Sequence, residues 1–450
     1  MSTQVDQTKE TINNQAKRVL AAPTSRRRFL QATAAGAAGL FSGGFFTQSV
    51  RGSRMANDKL NLAIIGVANR AADNIEGVKH ENIAMLCDVD QNFLSEASKK
   101  FPAAKTFTDY RKLLDSAKNF DAVVVSTPDH HHFHASYWAM EQGKHCYCEK
   151  PLTHSVWEAR TLNELAKAKS LTTQMGTQIH ATRNYRDVVE IIRSGAIGDI
   201  KHVHVWVGKG WGGGERPETG DPVPAHLAWD VWLGGAPERQ FKENRYHPAQ
   251  WRRWWDFGGG TLGDMACHLM DLPFWALGLK DPSSIVATGP EAHRETCPLG
   301  LQVDYRFAAS DMHGDLGLTW YDGAKIPKEL EGIACGGMGV MFVGEKGQLL
   351  ADYGQWKLFP EEDFKDYIPP AHSIEDSIGH HREWTEACKS GANTTCNFGY
   401  SGPLTESVLL GNVAYRVGKA IQWDAKAMTT GDTVADALLK REYRDGWKIG

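Results

Sequence analysis

The sequence predicts an α/β chain of two domains: a doubly wound parallel sheet, then an α+β domain with a large, mostly antiparallel open sheet. From residue 58 to about 180, short apolar strands alternate with amphipathic helices, which is typical of parallel sheets covered on both faces. From 181 to 438, strands follow one another with few helices between them, which favours antiparallel pairing. The length of 450 residues also exceeds what one core usually holds.

Composition excludes several classes of function. The formal net charge of −4 gives no reason to expect nucleic acid or an anionic membrane as a partner. No apolar stretch is long enough to span a membrane. The eight cysteines are dispersed and lie mostly in apolar runs, so we expect buried thiols rather than a disulfide framework.

Residues 1–57 contain the pattern of an export signal. Residues 25–31 read Ser-Arg-Arg-Arg-Phe-Leu-Gln, and a short Gly/Ala-rich apolar segment follows them. Paired arginines before Phe-Leu resemble the twin-arginine signal, which exports folded proteins. We therefore expect a periplasmic or otherwise exported protein. The alternative is a basic disordered tail.

A dinucleotide fingerprint follows the first predicted strand, residues 60–65. It reads Gly66-Val-Ala-Asn-Arg-Ala71, with alanine at the second and third glycine positions. A small residue at the second position lets the backbone approach the pyrophosphate, whose charge the helix N-terminus stabilises. The contacts predicted for this segment are Gly66, Ala68, Asn69 and Arg70.

Asp88 ends the second predicted strand, 83–87, where an acid accepts hydrogen bonds from the ribose hydroxyls of adenosine. A carboxylate there repels a 2′-phosphate, so the sequence favours NAD, with NADP as the alternative. The alternative is a solvated turn aspartate, and Asp90 is also available. These readings define residues 58–180 as an NAD(P)-binding Rossmann domain.

Polar residues follow the strands predicted at 122–126 and 145–148, at the edge where ligands of such sheets bind. The first group is Ser126-Thr127-Pro128 with a histidine cluster that includes His132. The cluster is open to three interpretations: cofactor contact, surface polarity or a metal. We expect no metal, because histidines so close in sequence rarely converge without acids or thiols.

Glu149-Lys150-Pro151 ends the strand predicted at 145–148, and Ser155-x-x-Glu158 after it reads as a capping box. This spacing leaves Lys150 at the ligand edge of the sheet.

A second constellation lies at 258–275. Asp264, His268 and Asp271 recur at helical spacing, so we expect one helix with a polar face in a cleft. Alternatively, Asp264 caps the helix and His268 is a core histidine.

These motifs resemble the Gfo/Idh/MocA oxidoreductases, the glucose–fructose oxidoreductase and inositol dehydrogenase family. The resemblance covers Leu60 to the mid-430s, and the Trp-rich stretch 246–257 resembles an exported subgroup. It implies a catalytic Lys150, Asp264 and His268, and a homodimer or homotetramer that associates through the second sheet. The motifs that carry it are Thr127-Pro128-x-x-x-His132, Gly143-Lys144-His145, Glu149-Lys150-Pro151, Gln174–Gln178, Gly195–Gly198 and Asn397–Glu406.

The chemistry implied is hydride transfer between a nicotinamide cofactor and a secondary hydroxyl of a sugar, cyclitol or sugar derivative. Histidine suits the base that removes the hydroxyl proton, and lysine suits stabilisation of the reacting oxygen. Glu149, Lys150 and Gln178 complete the predicted cofactor contacts. The predicted substrate contacts are Tyr246, His247, Arg252 and Trp255, within the 181–438 domain, and residues 439–450 are expected to be a tail.

Two other functions fit the same sequence. Free NAD is scarce outside the cytoplasm, so an exported enzyme is expected to bind its cofactor tightly. One alternative is therefore an NAD-dependent glycosidase or lyase, which oxidises its substrate transiently and shows no net redox change. The other is a non-catalytic sugar-binding protein of the same fold.

Overall fold

The computed structural model describes residues 58–323, 327, 330, 333 and 336–449. The predicted export signal and Cys335 lie outside these residues. The described residues fall within one compact unit. Across this part of the chain, every helix is too short or too polar to cross a membrane.

The first sheet has six parallel strands in the order β3-β2-β1-β4-β5-β6, which confirms the predicted doubly wound sheet. The run of three or four buried apolar residues in β1, β2 and β4 reflects helices on both faces. The sequence pattern did not locate β3, a short, largely exposed edge strand. The strands are β1 Asn61–Ile65, β2 Asn82–Cys87, β3 Lys105–Phe107, β4 Ala122–Val125, β5 His145–Cys148 and β6 Thr173–Met175.

Local capping explains where several helices of this domain begin. Asp90 accepts the N–H of Asn92 at 2.9 Å before the second helix, and Glu158 accepts the N–H of Ser155 at 2.9 Å, as the capping-box pattern predicts. The helices are α1 Arg70–Val78, α2 Gln91–Lys100, α3 Tyr110–Leu114, α4 Asp129–Glu141 and α5 Val156–Ala168, with a 3₁₀ turn at Ala117–Asn119.

The second sheet has eight strands in the order β13-β12-β11-β7-β10-β9-β8-β14. Strands β7 and β10 pair in parallel and the other pairs are antiparallel, so the predicted mostly antiparallel sheet is confirmed. The strands are β7 Ile200–Val207, β8 Ser284–Thr288, β9 Gln302–Phe307, β10 Leu316–Asp322, β11 Met338–Gly344, β12 Gln348–Ala351, β13 Trp356–Phe359 and β14 Ile421–Gln422.

Helices cover one face of this sheet. The long helix α11 packs on α5 of the first domain and on β8, and so ties the domains together. The helices are α6 Arg183–Arg193, α7 Trp229–Leu233, α8 Gly260–Leu269, α9 Asp271–Leu277, α10 His380–Ser390, α11 Phe398–Val417 and α12 Thr433–Asp436, with 3₁₀ turns at Gln178–Ala181, Gln250–Arg253 and Glu361–Phe364.

Residues 227–257 form a small separate core, which we call the aromatic module. Its buried side chains include Trp229, Trp232, Tyr246 and Trp254. The buried guanidinium of Arg239 lies 5.2–5.3 Å from the ring centroids of Tyr246, Trp254 and Phe257. Cation–π attraction and ion pairs to Asp256 and Glu295 balance the cost of burying this charge.

The segment predicted as a C-terminal tail packs onto the first domain. The hydroxyl of Tyr443 donates to the buried carboxylate of Glu158 at 2.6 Å, and His134 lies 2.9 Å from the carbonyl oxygen of Trp447. Trp447 itself is buried. Tyr443 and Trp447 therefore anchor residues 439–449 to the first domain.

Candidate active site

A cavity of about 540 Å³ lies at the carboxyl ends of β1, β2, β4 and β5 and extends under the second domain. Its size and its mixed lining are typical of a small-molecule site. Most of the predicted site residues line it: Gly66, Ala68, Asn69, Arg70, Asp88, Ser126, Thr127, Pro128, Glu149, Lys150, Gln178, His247, Arg252, Asp264 and His268.

The fingerprint segment has the geometry that a dinucleotide needs. Gly66 has φ +84°, and a Cβ there would lie 2.6 Å from the carbonyl oxygen of Ser126, so only glycine fits. Helix α1 begins at Arg70, and Asn69 before it makes no side-chain capping bond. The N–H groups of Ala71 and Ala72 donate to the carbonyl oxygens of Ala68 and Asn69 at 3.1 and 3.0 Å, so this helix end offers a phosphate chiefly the positive end of its dipole.

Asp88 is held at the adenosine end of the cavity by backbone donors. Its carboxylate accepts the N–H of Val67 and the N–H of Asp90, each at 3.0 Å. Burial raises the pKa of Asp88, and these two hydrogen bonds oppose the shift. Each carboxylate oxygen keeps a lone pair for a ribose hydroxyl.

Glu149, at the end of β5, holds together three side chains at the part of the cavity opposite Asp88. Its Oε1 accepts from Arg70 Nε at 3.2 Å, from Asn74 Nδ2 at 2.9 Å and from Gln178 Nε2 at 3.0 Å. Asn74 lies on the buried face of α1 and was not predicted as a site residue. The hydroxyl of Thr127 is buried with no protein partner among the described residues, so it is available to a ligand.

Together, the narrow Gly66 turn, the N-terminus of α1, Asp88 and the Thr127 hydroxyl, which has no partner among the described residues, fit a bound NAD. Asp88 and Asp90 at the ribose end disfavour the extra phosphate of NADP.

His132 does not line the cavity, so the prediction that it contacts the cofactor is corrected. It is buried, with Nδ1 2.7 Å from the carbonyl oxygen of Pro151 and Nε2 2.9 Å from that of Thr127. The imidazole bridges the ends of β4 and β5 and so positions Thr127 and the Lys150–Pro151 turn.

The other histidines of the cluster are buried, and one of them, His131, also lines the cavity. The Nε2 atoms of His130 and His131 lie 2.8 and 2.7 Å from the carbonyl oxygen of Trp232 in the aromatic module. Burial lowers the pKa of His131 to about 4, which leaves its ring neutral. The cluster is therefore buried against the second domain rather than exposed on the surface, and contact of His131 with a cofactor stays a prediction.

Lys150 and Asp264 meet across the two domains. Lys150 Nζ donates to Asp264 Oδ1 at 2.9 Å and to the backbone oxygen of Asp264 at 2.7 Å. Arg252 Nε donates to the same Oδ1 at 3.0 Å. Burial alone would raise the pKa of Asp264, but the two cations hold it well below its usual range.

His268 lies one helical turn after Asp264 and lines the same cavity. Its Nδ1 is buried, and neither ring nitrogen makes a hydrogen bond to another described residue. Burial and the Lys150 ammonium lower its pKa well below the usual value, so the imidazole is neutral with one unshared lone pair. Asp264 thus orients Lys150 and not the imidazole.

Asp129, at the start of α4, also lines this part of the cavity and was not predicted. Burial raises its pKa to about 8, although Arg252 and Lys150 oppose the shift. The sequence signal was its place beside Pro128, at the end of β4.

Two predicted substrate contacts are corrected. Tyr246 is buried in the aromatic module, with Trp229 and Trp254 against its ring, and Trp255 packs in the main core, where its Nε1 donates to the carbonyl oxygen of His293. Neither lines the cavity. His247 does, but at the adenosine end, where its Nε2 lies 3.0 Å from Asp90 Oδ2.

Asp271 does not share the polar face predicted for it. Pro273 has no amide to donate to the carbonyl of Leu269, so α8 ends and α9 begins between them. Asp271 instead turns into the core, where the hydroxyl of Tyr400 donates to it at 2.8 Å and His180 Nδ1 lies 2.9 Å away.

Three further residues line the half of the cavity near His268: Lys209, Trp211 and Tyr353. None of the three was among the predicted site residues. Tyr353 comes from the turn between β12 and β13, more than 80 residues from His268, and no motif marks it.

A parallel sheet with a dinucleotide turn at Gly66, and a second domain that meets Lys150 after β5, are the parts of a two-domain nucleotide-binding protein. Comparison with known proteins agrees. The NAD-binding Rossmann fold of the Gfo/Idh/MocA oxidoreductase family matches residues 60–177, and the C-terminal alpha/beta domain of that family matches residues 182–449. The chain belongs to this family.

Among curated relatives, a levoglucosan dehydrogenase of Pseudarthrobacter phenanthrenivorans is 24% identical over 194 residues, 43% of this chain and 42% of the relative. A glycosyl hydrolase family 109 protein of Shewanella baltica is 28% identical over 204 residues, 39% of this chain and 44% of the relative. The matches thus span less than half of each relative.

Among solved structures, the WlbA dehydrogenase of Bordetella pertussis, in complex with NADH and UDP-GlcNAcA, has a TM-score of 0.60 at 16% identity. The match covers 83% of this chain and all of that one. It shows the shared fold.

Proposed function

We propose that this protein transfers hydride between NAD and a secondary hydroxyl of a sugar, cyclitol or sugar derivative. The observation that carries the proposal is Lys150, held by Asp264 beside the neutral, unpartnered His268 at one end of a dinucleotide cavity. The sugar-acting relatives support the substrate class.

Lys150 has one N–H free for the reacting oxygen, because its three ammonium protons serve two bonds to Asp264. That donor stabilises the negative charge that develops on the substrate oxygen as its proton leaves. His268 is neutral and makes no hydrogen bond to another residue that the structure describes, so it can accept this proton. When bound, NAD supplies the hydride acceptor.

The test begins with the purified protein. Acid denaturation followed by an enzymatic assay of the supernatant should release NAD(H). Addition of a panel of sugars and cyclitols to the loaded protein should then produce absorbance at 340 nm. A protein that neither carries nor binds a nicotinamide dinucleotide is incompatible with the proposal.

A second candidate is a redox-neutral reaction, and the contact of the aromatic module with the adenosine end favours it. The backbone N–H of Ala228 donates to Val89 at 2.9 Å, that of Gln91 donates to His226 at 2.8 Å, and His247 lies on Asp90. These contacts close the loop after β2, beside Asp88. A cofactor retained there through turnover must be restored in place, as in a glycosidase or lyase that oxidises its substrate only transiently.

Aryl glycosides separate the two candidates. Release of the aglycone without lasting reduction of NAD indicates the redox-neutral reaction, whereas stoichiometric NADH indicates the dehydrogenase. Binding of sugars with neither outcome indicates the non-catalytic alternative.

We further propose export through the twin-arginine pathway, on the basis of residues 25–31, and self-association through the second sheet. Cell fractionation of the full chain and of an Arg26→Lys/Arg27→Lys variant tests the first. Light scattering of the purified protein tests the second, for which a monomer at micromolar concentration is the contrary result.

A further inference from the structure

The half of the cavity near His268 is rich in hydrogen-bond donors and positive charge. Lys150, Arg252 and Lys209 all line it. The buried Trp211 Nε1–H has no partner among the described residues. A site lined this way needs a ligand with many acceptor atoms.

Lys209 is the cation that the proposed reaction does not use. It follows β7, and its backbone oxygen accepts the N–H of Gly323 at 2.9 Å, which fixes its main chain. Its ammonium lies 3.5 Å from Met265 Sδ, and no carboxylate of the described residues forms an ion pair with it. Because a thioether is a weak acceptor, the ammonium keeps its capacity to bind an anion.

The charges nearby do not cancel that of Lys209. The Asp264 carboxylate serves two cations, Lys150 and Arg252. Burial raises the pKa of Asp129 to about 8, so near neutral pH this carboxyl is largely protonated. The third acid close to Lys150, Glu149, is paired with Arg70. Three cations therefore face one charged carboxylate.

The charge of Lys209 acts on His268, the proposed base. Burial and Lys150 lower the pKa of His268, and Lys209 contributes to the same shift. Nearby, the Arg252 guanidinium lies 4.3 Å from the ring centroid of Trp251 and 5.5 Å from that of Trp211. Trp211 and Trp251 both line the cavity and supply flat apolar surface for a sugar ring.

We propose that the substrate is an anionic sugar, and that Lys209 binds its acidic group while Trp211 contacts the ring. This proposal rests on the proposed function, since it assumes that the sugar hydroxyl reacts between Lys150 and His268. A carboxylate and a phosphate both present negatively charged oxygens to Lys209. Two sugars that carry one group or the other distinguish between them.

The test uses NAD-loaded protein and three sugars that differ only at carbon 6: D-glucose, D-glucuronate and D-glucose 6-phosphate. Dissociation constants are measured by tryptophan fluorescence and by calorimetry. We expect the anionic ligands to bind about tenfold or more tightly than glucose, since a charge-assisted hydrogen bond is worth at least one such factor. Whichever of the two anionic sugars has the lower dissociation constant identifies the acidic group. The advantage should shrink between 20 mM and 500 mM salt, as the charges are screened.

Lys209→Ala should raise the dissociation constant of the anionic sugars by about tenfold and leave that of glucose unchanged. Lys365→Ala, which removes the same charge from an exposed site on the second domain, is the matched control. Equal binding of glucose and both anions, or equal effects of the two substitutions, would overturn the proposal. If neutral sugars reduce NAD while anions bind no better, the proposed function stands and only this inference fails. If uronate binds through Lys209 but no sugar is oxidised, the proposed function fails and only the anion-binding role of Lys209 stands.

Discussion

Lys150 Nζ makes two hydrogen bonds to one residue of the other domain, 2.9 Å to Asp264 Oδ1 and 2.7 Å to the Asp264 backbone oxygen. These two hydrogen bonds to Asp264 fix the position of the Lys150 ammonium in the cavity. Since Arg252 shares the carboxylate, Asp264 stays ionised without help from a substrate. The position of the Lys150 ammonium therefore depends on helix α8, which carries Asp264, as much as on strand β5, which Lys150 follows.

Lys150→Met should lower kcat/KM by about 10²–10³-fold, because it removes the donor to the reacting oxygen. NAD affinity, measured by quenching of protein fluorescence, should change little. Lys365→Ala serves as the control for loss of one positive charge. More than half of the wild-type activity in Lys150→Met would show that this ammonium is not the electrophilic group.

His268→Asn should reduce kcat/KM by about 10²–10⁴-fold, the usual contribution of a positioned base. Since burial keeps the wild-type imidazole neutral, the activity should not fall between pH 8 and pH 6 through protonation of this residue. The measurement is a pH profile of kcat/KM for both proteins. An acidic limb near pH 6.5 that disappears in the variant would contradict the lowered pKa.

Asp129 should make the protein less stable as pH rises. Its pKa is about 8 in the folded chain but near 4 when unfolded, so the folded state binds the extra proton between these values. The stability that this proton contributes is complete below pH 4 and is lost as pH rises to about 8.

Asp129→Asn should therefore raise the melting temperature more at pH 8 than at pH 5, as measured by calorimetry. Asp363→Asn, at an exposed carboxylate, provides the comparison. Equal changes at both pH values in Asp129→Asn would mean that its carboxyl is already ionised at pH 5.

His247→Ala should speed release of bound NADH, because it breaks the contact with Asp90 that helps to close the loop after β2. The loss of one such partly buried interaction corresponds to a several-fold faster rate, followed by fluorescence after dilution into excess NAD. Lys242→Ala removes an ion pair with Asp221 near the same module, away from this loop, and should leave the rate unchanged. Identical rates in all three proteins would remove the structural basis for a retained cofactor.

Tyr443→Phe should lower the free energy of unfolding by about 1–3 kcal/mol, because it leaves the buried carboxylate of Glu158 without its 2.6 Å donor. Tyr305→Phe is the matched control, since the Tyr305 hydroxyl is buried with no partner among the described residues and its loss should not destabilise. Denaturant melts of both variants provide the comparison. Equal destabilisation would show that the link through Tyr443 does not hold the C-terminal segment.

Much of the fold and site followed from local pattern. Strand β1, the turn at Gly66 and the end of β5 at Lys150 are each defined by residues adjacent in sequence. The spacing of Asp264 and His268 placed both on one helix. These predictions needed only periodicity and the rule that ligands bind beyond the carboxyl ends of parallel strands.

The rest depended on packing that no local pattern encodes. Tyr246 and Trp255 look like sugar-stacking residues, but an aromatic ring serves a core equally well, and here both rings are buried. Asp271 left the predicted face because one proline ended α8. Tyr353 reaches the cavity only because β12 and β13 fold back towards α8.

The contacts of the aromatic module determine where this chain can be cut into separately folded domains. Trp232 accepts hydrogen bonds from His130 and His131, and Ala228 donates to Val89, so residues far along the sequence complete the first domain. A fragment cut near residue 180 would expose these histidines and lose the cover beside Asp88. In a domain exchange with a relative, residues 227–257 should therefore be transferred together with the first, nucleotide-binding domain, although in sequence they belong to the second domain.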